Sequence, residues 1–205
     1  MSSHSELNQL YRSQLLQYFP SAIHLRFNSK NELTLIVQPD QLFEVIQFLK
    51  FNQNCQFKCL TEICGVDYPF RNNRFEVVYC LLSLNFNTRL RVKAVLHETS
   101  SIESVTSLFS SANWMEREVW DLFGIYFSNH PDLRRILTDY GFQGHPFRKD
   151  FPLGGYQELR YDDLKKSVVI ERVEFSQEFR SFNFESSWDD RVSVNHIGLE
   201  SKTKN

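Results

Sequence analysis

NWMEREVWDLFGIYFSNHPDLRRILTDYGFQGHPFRKDFPL, residues Asn113 to Leu153, joins an evident helix to a charged, aromatic run that has no period. Met115, Val119, Leu122 and Phe123 recur at the spacing of one helix face, and Gly124 marks the stop, because glycine enters the left-handed conformation that ends helices without strain. Asn113 and Glu116 have the spacing of an N-cap and its reciprocal acceptor. Glu116 with Trp120, and Arg117 with Asp121, fall one helical turn apart on other faces. That spacing predicts a solvated helix surface on which an Arg117–Asp121 pair is worth roughly 0.2–0.5 kcal/mol. Glu116 and Glu118 point to different faces and do not make an acid/base pair.

Upstream, Ser3 and Glu6 form a capping-box pattern ahead of Leu7, Tyr11, Leu15 and Tyr18, a first helix that ends at Pro20. Ile23 to Phe27 and Leu33 to Val37 read as a β-hairpin. Pro39 and Asp40 open a second helix with Leu42, Val45, Ile46 and Leu49 inward. Phe57 to Val66, Phe75 to Leu84 and Arg89 to Leu96 read as three further strands, the last alternating apolar and basic residues as a sheet with one wetter face requires. Thr99 to Phe109 reads as a helix with Ile102, Val105 and Leu108 inward. Together these predict an α+β head domain over residues 1–127, with a mostly antiparallel sheet and flanking helices.

Downstream of Ser128 the pattern changes. Apart from a short helix expected at Pro131 to Asp139 and a strand at Val168 to Val173, residues 128–192 carry no clear period, which is uncommon inside a compact domain. Disordered segments are poor in aromatics, whereas this one is punctuated by them, and each large ring left wet forgoes roughly 1.5–3 kcal/mol of burial. The reading is an extended arm laid over another protein. Its expected anchors are Leu133, Phe151, Tyr156, Tyr161, Phe175, Phe179 and Trp188, with His130, Asp132, Arg134, Arg135, His145, Arg148, Lys149 and Asp150 as a charged rim. Residues 193–205 read as a loose end.

Composition narrows the function further. A net charge of -2 and a pI of about 6.3 argue against a general polyanion binder, and from Ser128 to Arg191 twelve acidic residues stand against ten basic ones, so nucleic acid is not the expected partner. The apolar runs are far shorter than the roughly 20 residues that span a bilayer. With Glu6, one arginine before residue 20 and no long apolar core, the N-terminal stretch matches neither a secretory signal nor an organellar presequence. Cys55, Cys59, Cys64 and Cys80 lack a CxxC pair and zinc spacing, and Cys59 with Cys64 lacks the next cysteine of a plant-type iron–sulfur motif, so they read as buried, reduced thiols. No nucleophile motif, phosphate loop or dinucleotide loop is present, so no catalytic, metal or cofactor-binding residues are expected. The alternative is a stand-alone metal-dependent hydrolase using His130, Asp132 and His145, with Asp139 and Asp150 as further candidate ligands.

EICGVDYP (Glu62 to Pro69), RFEVVYCLLS (Arg74 to Ser83), EREVWDLFGI (Glu116 to Ile125), HPDLRRILTDYGFQGHPFRKDFPL (His130 to Leu153) and GYQELRYDD (Gly155 to Asp163) resemble one family. It is the peripheral-arm subunit of respiratory complex I known in mitochondria as subunit nine or the thirty-kilodalton subunit, which has a counterpart in bacteria. The likeness covers about residues 20 to 190. It implies an α+β head and a long C-terminal arm lying along the large quinone-site subunit, in the module where electrons from NADH reach ubiquinone. It also implies that FMN, iron–sulfur clusters, NADH and ubiquinone bind elsewhere in the proton-pumping complex, and that the signature residues are architectural. The expected location is the matrix side of the mitochondrial inner membrane, or the cytoplasmic face of the bacterial one. Ser167 and Arg172 depart from the family pattern, which has a basic residue and a proline there.

Overall fold

Strands β1 (Ile23–Phe27) and β2 (Leu33–Val37) form the expected antiparallel hairpin, and β3 (Cys59–Asp67), β4 (Phe75–Ser83) and β5 (Thr88–Leu96) follow as a meander. The last strand of the meander then pairs in parallel with β2, so the order across the sheet is β1-β2-β5-β4-β3. This computed structural model describes residues 17–19, 33–180 and 182, with the backbone of 23–27. Most of the expected first helix, Trp188 and residues 193–205 lie outside the described residues.

Register lines up the core in rows. Leu33, Leu90 and Leu81 stand abreast, as do Leu35, Val92 and Tyr79, and then Val37, Ala94 and Val77; all are buried. Because side chains alternate along a strand, the intervening Thr34, Arg91 and Cys80 form a row on the opposite face. Onto the apolar face pack α1 (Leu42–Phe51), entered through a 3₁₀ turn at Pro39–Gln41, and α2 (Ala112–Phe123). The inward residues expected of α1, Leu42, Val45, Ile46 and Leu49, are all fully buried, each worth roughly 1.5–3 kcal/mol of transfer. The α+β class is therefore as the sequence predicts, with one parallel seam in an otherwise antiparallel sheet.

Three expectations are corrected. Thr99–Phe109 is not a helix: Ser101–Glu103 is strand β6, parallel to β7 (Tyr126–Ser128), followed by turns. Ile102 and Val105 are buried as the pattern required, but a strand and a turn achieve it. Helix α2 begins at Ala112 after Ser111, which makes no side-chain cap, so the Asn113–Glu116 capping box does not form. Pro131–Asp139 is not helical either, because its backbone amides are taken by a buried carboxylate of α2.

Residues up to Gly155 make one compact unit, and Tyr156 onward makes another. In the second, β8 (Gln157–Asp162) pairs antiparallel with β9 (Ser167–Arg172), close to the strand expected at 168–173. Ser167 and Arg172, the two departures from the family pattern, are the first and last residues of β9.

Gly65 in β3 lies directly under the end of α2: a Cβ there would lie 2.6 Å from the Phe123 ring. Gly65→Ala is expected to destabilise the head by roughly 1–3 kcal/mol through overpacking. A lowered urea midpoint with unchanged slope checks it.

Candidate functional site

A helix that ends inside a protein leaves its last carbonyl groups without partners. At the end of α2 four successive carbonyls are met by four donors. Trp120 O accepts from the Gly124 amide at 2.9 Å and Asp121 O from His145 Nδ1 at 2.9 Å; Leu122 O accepts from the Phe147 amide at 3.0 Å and Phe123 O from Arg148 Nε at 2.7 Å. Gly124 turns the chain at φ +78°, and a Cβ would meet His145 at 2.6 Å and Arg148 at 2.7 Å, so both conformation and space require glycine.

Asp121, one turn inside, is fully buried. Its Oδ2 accepts from the amides of Ile136, Leu137 and Thr138, and its Oδ1 from the Thr138 hydroxyl and Arg135 Nη1. These amides would otherwise serve a helix, which is why 131–139 does not form one. Burial by itself raises the Asp121 pKa, but the hydrogen bonds from Thr138, Leu137 and Ile136 outweigh it and hold the group below the usual carboxylate range. Arg117 does not pair with Asp121 on a wet surface: it is buried, and its Nε donates to Arg134 O at 3.2 Å. The solvated Arg117–Asp121 pair expected from spacing is thus replaced by two separate buried anchors for residues 134–138.

A second anchor comes from the sheet. Asp67, at the end of β3, accepts from Arg74 at 2.7 and 2.9 Å and from the Lys149 amide at 2.8 Å. Burial raises its pKa and these partners more than reverse that. Arg74 also reaches Asp150 at 2.8 Å, and the Arg74 and Arg148 guanidiniums each lie 5.2 Å from the Phe75 ring. Charge-assisted bonds of this kind are roughly twice as strong as neutral ones. Residues 134–150 are therefore clasped to the head by polar groups, together with ring contacts of Phe147 on Phe123 and His145 on Trp120, each at 5.8 Å.

Glu116 is buried on the other side of α2, where its carboxylate accepts from the Ser104 hydroxyl at 2.6 Å and the Val105 amide at 2.8 Å. Burial pushes its pKa up to about 7. His130 Nδ1 accepts from the Asp132 amide and its Nε2 donates to Asn113 O, which leaves Nε2 3.9 Å from Glu116.

Of the residues expected at a partner surface, His130, Arg135, His145 and Arg148 turn inward as described, and Leu133 packs against the core. Asp132 and Arg134 form an exposed pair at 2.9 Å. Lys149 and Asp150 are exposed, and half-buried Phe151 stacks on Phe142 at 6.0 Å. Tyr156, Tyr161, Phe175 and Phe179 are exposed, and Trp188 lies outside the described residues. Asp67 and Arg74 escaped sequence reasoning as site residues; a carboxylate closing an apolar strand was the signal available.

His130 meets the first turn of α2 and His145 its last, contacts eight residues and so about 12 Å apart along the helix. They do not converge on one ion, and the hydrolase arrangement does not form. An iron–sulfur cluster does not fit the thiols either. Cys59 and Cys64 are separated by about 16 Å of strand at roughly 3.3 Å per residue. Burial pushes Cys55 up to about 11 and, with Glu62 beside it, Cys64 up to about 12, whereas a cluster takes thiolates. Cys55 is buried and the other three are half-buried, and none of the four is in a disulfide.

Likeness to known proteins defines the class as a respiratory-complex subunit. Residues 35–157 match the family described as respiratory-chain NADH dehydrogenase, 30 Kd subunit. NADH-ubiquinone oxidoreductase subunit 9 of Reclinomonas americana is 56% identical over 200 residues, covering 96% of this chain and 98% of that one. NADH dehydrogenase [ubiquinone] iron-sulfur protein 3 of Marchantia polymorpha is 57% identical over 182 residues, covering 89% and 93%. An NADH-quinone oxidoreductase subunit of Paramagnetospirillum magneticum is 56% identical over 162 residues, covering 79% and 81%. A solved chain of a membrane-bound sulfane sulfur reductase, an archaeal respiratory membrane complex, superimposes with a TM-score of 0.61 at 25% identity over 71% of this chain and 85% of that one. The chain belongs to the 30 Kd subunit family of respiratory-chain NADH dehydrogenase.

Two outcomes follow from the geometry. Asp121→Ala leaves three amides and Arg135 without their acceptor and is expected to cost roughly 3–5 kcal/mol, read as a lowered melting temperature with new proteolytic cleavage in 134–148. Glu116 has a raised folded pKa, so its contribution is fully present below its unfolded pKa of 4.5 and is lost as pH rises through about 7. His145, lowered chiefly by burial, acts oppositely, gaining as pH rises. The stability difference between wild type and Glu116→Gln, which removes only the first effect, is therefore expected to change by about 2–3 kcal/mol between pH 5 and 8, in the direction of a relatively weaker wild type at pH 8.

Proposed function

We propose that this chain is a non-catalytic, architectural subunit of the peripheral arm of NADH:ubiquinone oxidoreductase, in the quinone-reducing module of the proton-pumping complex. Flavin, clusters, NADH and ubiquinone are handled by other subunits, and this chain contributes to the frame that holds them. Among the described residues no helix is long and apolar enough to cross a membrane, which suits a peripheral position on the matrix side of the mitochondrial inner membrane.

The observation that carries the reading is the β8–β9 hairpin. Its register sets Leu159 opposite Ile170 and Tyr161 opposite Val168 on one face, and these are 56%, 62%, 57% and 63% exposed. The other face carries Val169 among Glu158, Arg160, Asp162, Ser167 and Glu171, and is tied by an Arg160–Glu171 ion pair at 2.6 Å. A two-stranded hairpin is marginal by itself in water, and one whose face sets four exposed apolar side chains beside the Gln157–Arg172 pair gains most when those side chains are covered. Phe175 and Phe179, which follow the hairpin in the chain, are exposed as well. The large quinone-site subunit is the partner that this reading assigns to them.

Tyr161→Ala combined with Ile170→Asp is expected to cut incorporation into the purified complex by about tenfold or more while leaving the isolated chain's melting temperature within the small range of surface substitutions, roughly 0.5 kcal/mol. Undiminished incorporation of the double variant would remove the hairpin from the interface.

A further inference from the structure

β3 is an outer strand of the head's sheet, and between Glu62 and Asp67 its free edge has neither proline nor lysine to discourage pairing with a foreign chain. The single irregularity, a bulge between Leu60 and Glu62, lies before this stretch. Among the described residues, no backbone hydrogen bond outside the β3–β4 ladder involves the backbone of this stretch.

An apolar groove runs beside this edge. One part, 330 Å³, lies between Glu62–Gly65 and α2, with Met115 and Val119 on the helix side; the next, 640 Å³, continues along Gly65–Asp67 to the clasped segment at Pro146–Leu153. Phe123 and Phe147 line both, and the Phe147 ring is 57% exposed although its amide is fixed in the clasp. Successive residues of β3 line the groove, as happens along a strand edge and not on one face of a sheet. Six residues at roughly 3.3 Å each give about 17–20 Å, the length of an ordinary strand.

Charge is distributed unevenly along it. Exposed Glu62 and Glu118 stand at the α2 end and exposed Lys149 at the other, and none of the three is in an ion pair among the described residues. A second copy of this chain would offer Gly65 at the centre of its own edge, with no side chain to fill the apolar space.

We propose that this groove receives an extended segment of a neighbouring subunit, which adds to β3 as a further strand, seats apolar side chains against Phe123 and Phe147, and sets a basic side chain at Glu62 and Glu118 and an acidic one at Lys149. Main-chain pairing supplies the affinity of such an addition and the pockets its specificity. The proposal rests on the reading of the chain as a complex subunit.

The test compares the purified complex with the full chain alone. Amide hydrogen exchange over 62–67 is expected to be at least about tenfold slower in the complex. With Phe147 replaced by photoreactive p-benzoylphenylalanine, irradiation of the complex is expected to yield a cross-link to one short peptide of another subunit. Lys149→Glu is expected to weaken retention of the chain at moderate salt by about five- to tenfold, as loss of a complementary charge does. A cross-link to this chain's own residues or to a second copy overturns the proposal, and so does exchange at 62–67 as fast in the complex as in the free chain. A chain that fails to co-purify with the complex at all overturns the subunit reading itself, a result separable from co-purification with an unprotected groove.

Discussion

The end of α2 is the constraint on which the rest of the head depends. Four carbonyls and the Asp121 carboxylate are withdrawn from water there, and each would cost free energy if left unpaired. Apart from the Gly124 amide on Trp120 O, their partners come from residues 135–148. Helix and segment therefore specify each other: the helix end is tolerable because the segment caps it, and the segment has one conformation because the helix end demands it. Gly124 makes the reversal possible, being the one residue type that gives both the left-handed turn and the space for His145 and Arg148.

Charge is used differently on the two sides of that segment. Inward groups are matched with near-ideal hydrogen bonds, as in the Asp67–Arg74 fork and the amide cradle of Asp121. Buried pairs of this kind contribute less to net stability than to uniqueness, since their desolvation offsets most of their attraction. Outward groups such as Asp132, Arg134 and Lys149 are left to solvent. The inward side of the segment is thus fixed by hydrogen bonds, while its outward charged groups face solvent.

Two surfaces are unfinished in the chain by itself: the apolar face of the β8–β9 hairpin and the open edge of β3 with its groove. The hairpin presents side chains, so area burial dominates what it offers a partner. The β3 edge presents main chain, so hydrogen-bond direction and strand register dominate. Both suit a 30 Kd subunit of a larger respiratory assembly.

Wherever one local pattern decided the outcome, the sequence was sufficient. The stripe of α1, the β1–β2 hairpin, the β3–β5 meander and the glycine stop of α2 are all visible in spacing, because burying one face of a helix or strand needs only a period. The residues that carry the site were visible as a signature but not in their roles. Arg117 and Asp121 have the spacing of a surface pair, Asn113 and Glu116 that of a cap, and 131–139 and 99–109 that of helices. Each was redirected by a partner far along the chain: Arg134, Thr138, Ser104 and the amides of 136–138. A polar side chain has one local choice and many distant ones, and burial, which no period reports, raises the strength of the distant ones above the local. Apolar periodicity thus determined the elements, and only the closing of the fold around α2 decided which charged group would hold which stretch of backbone.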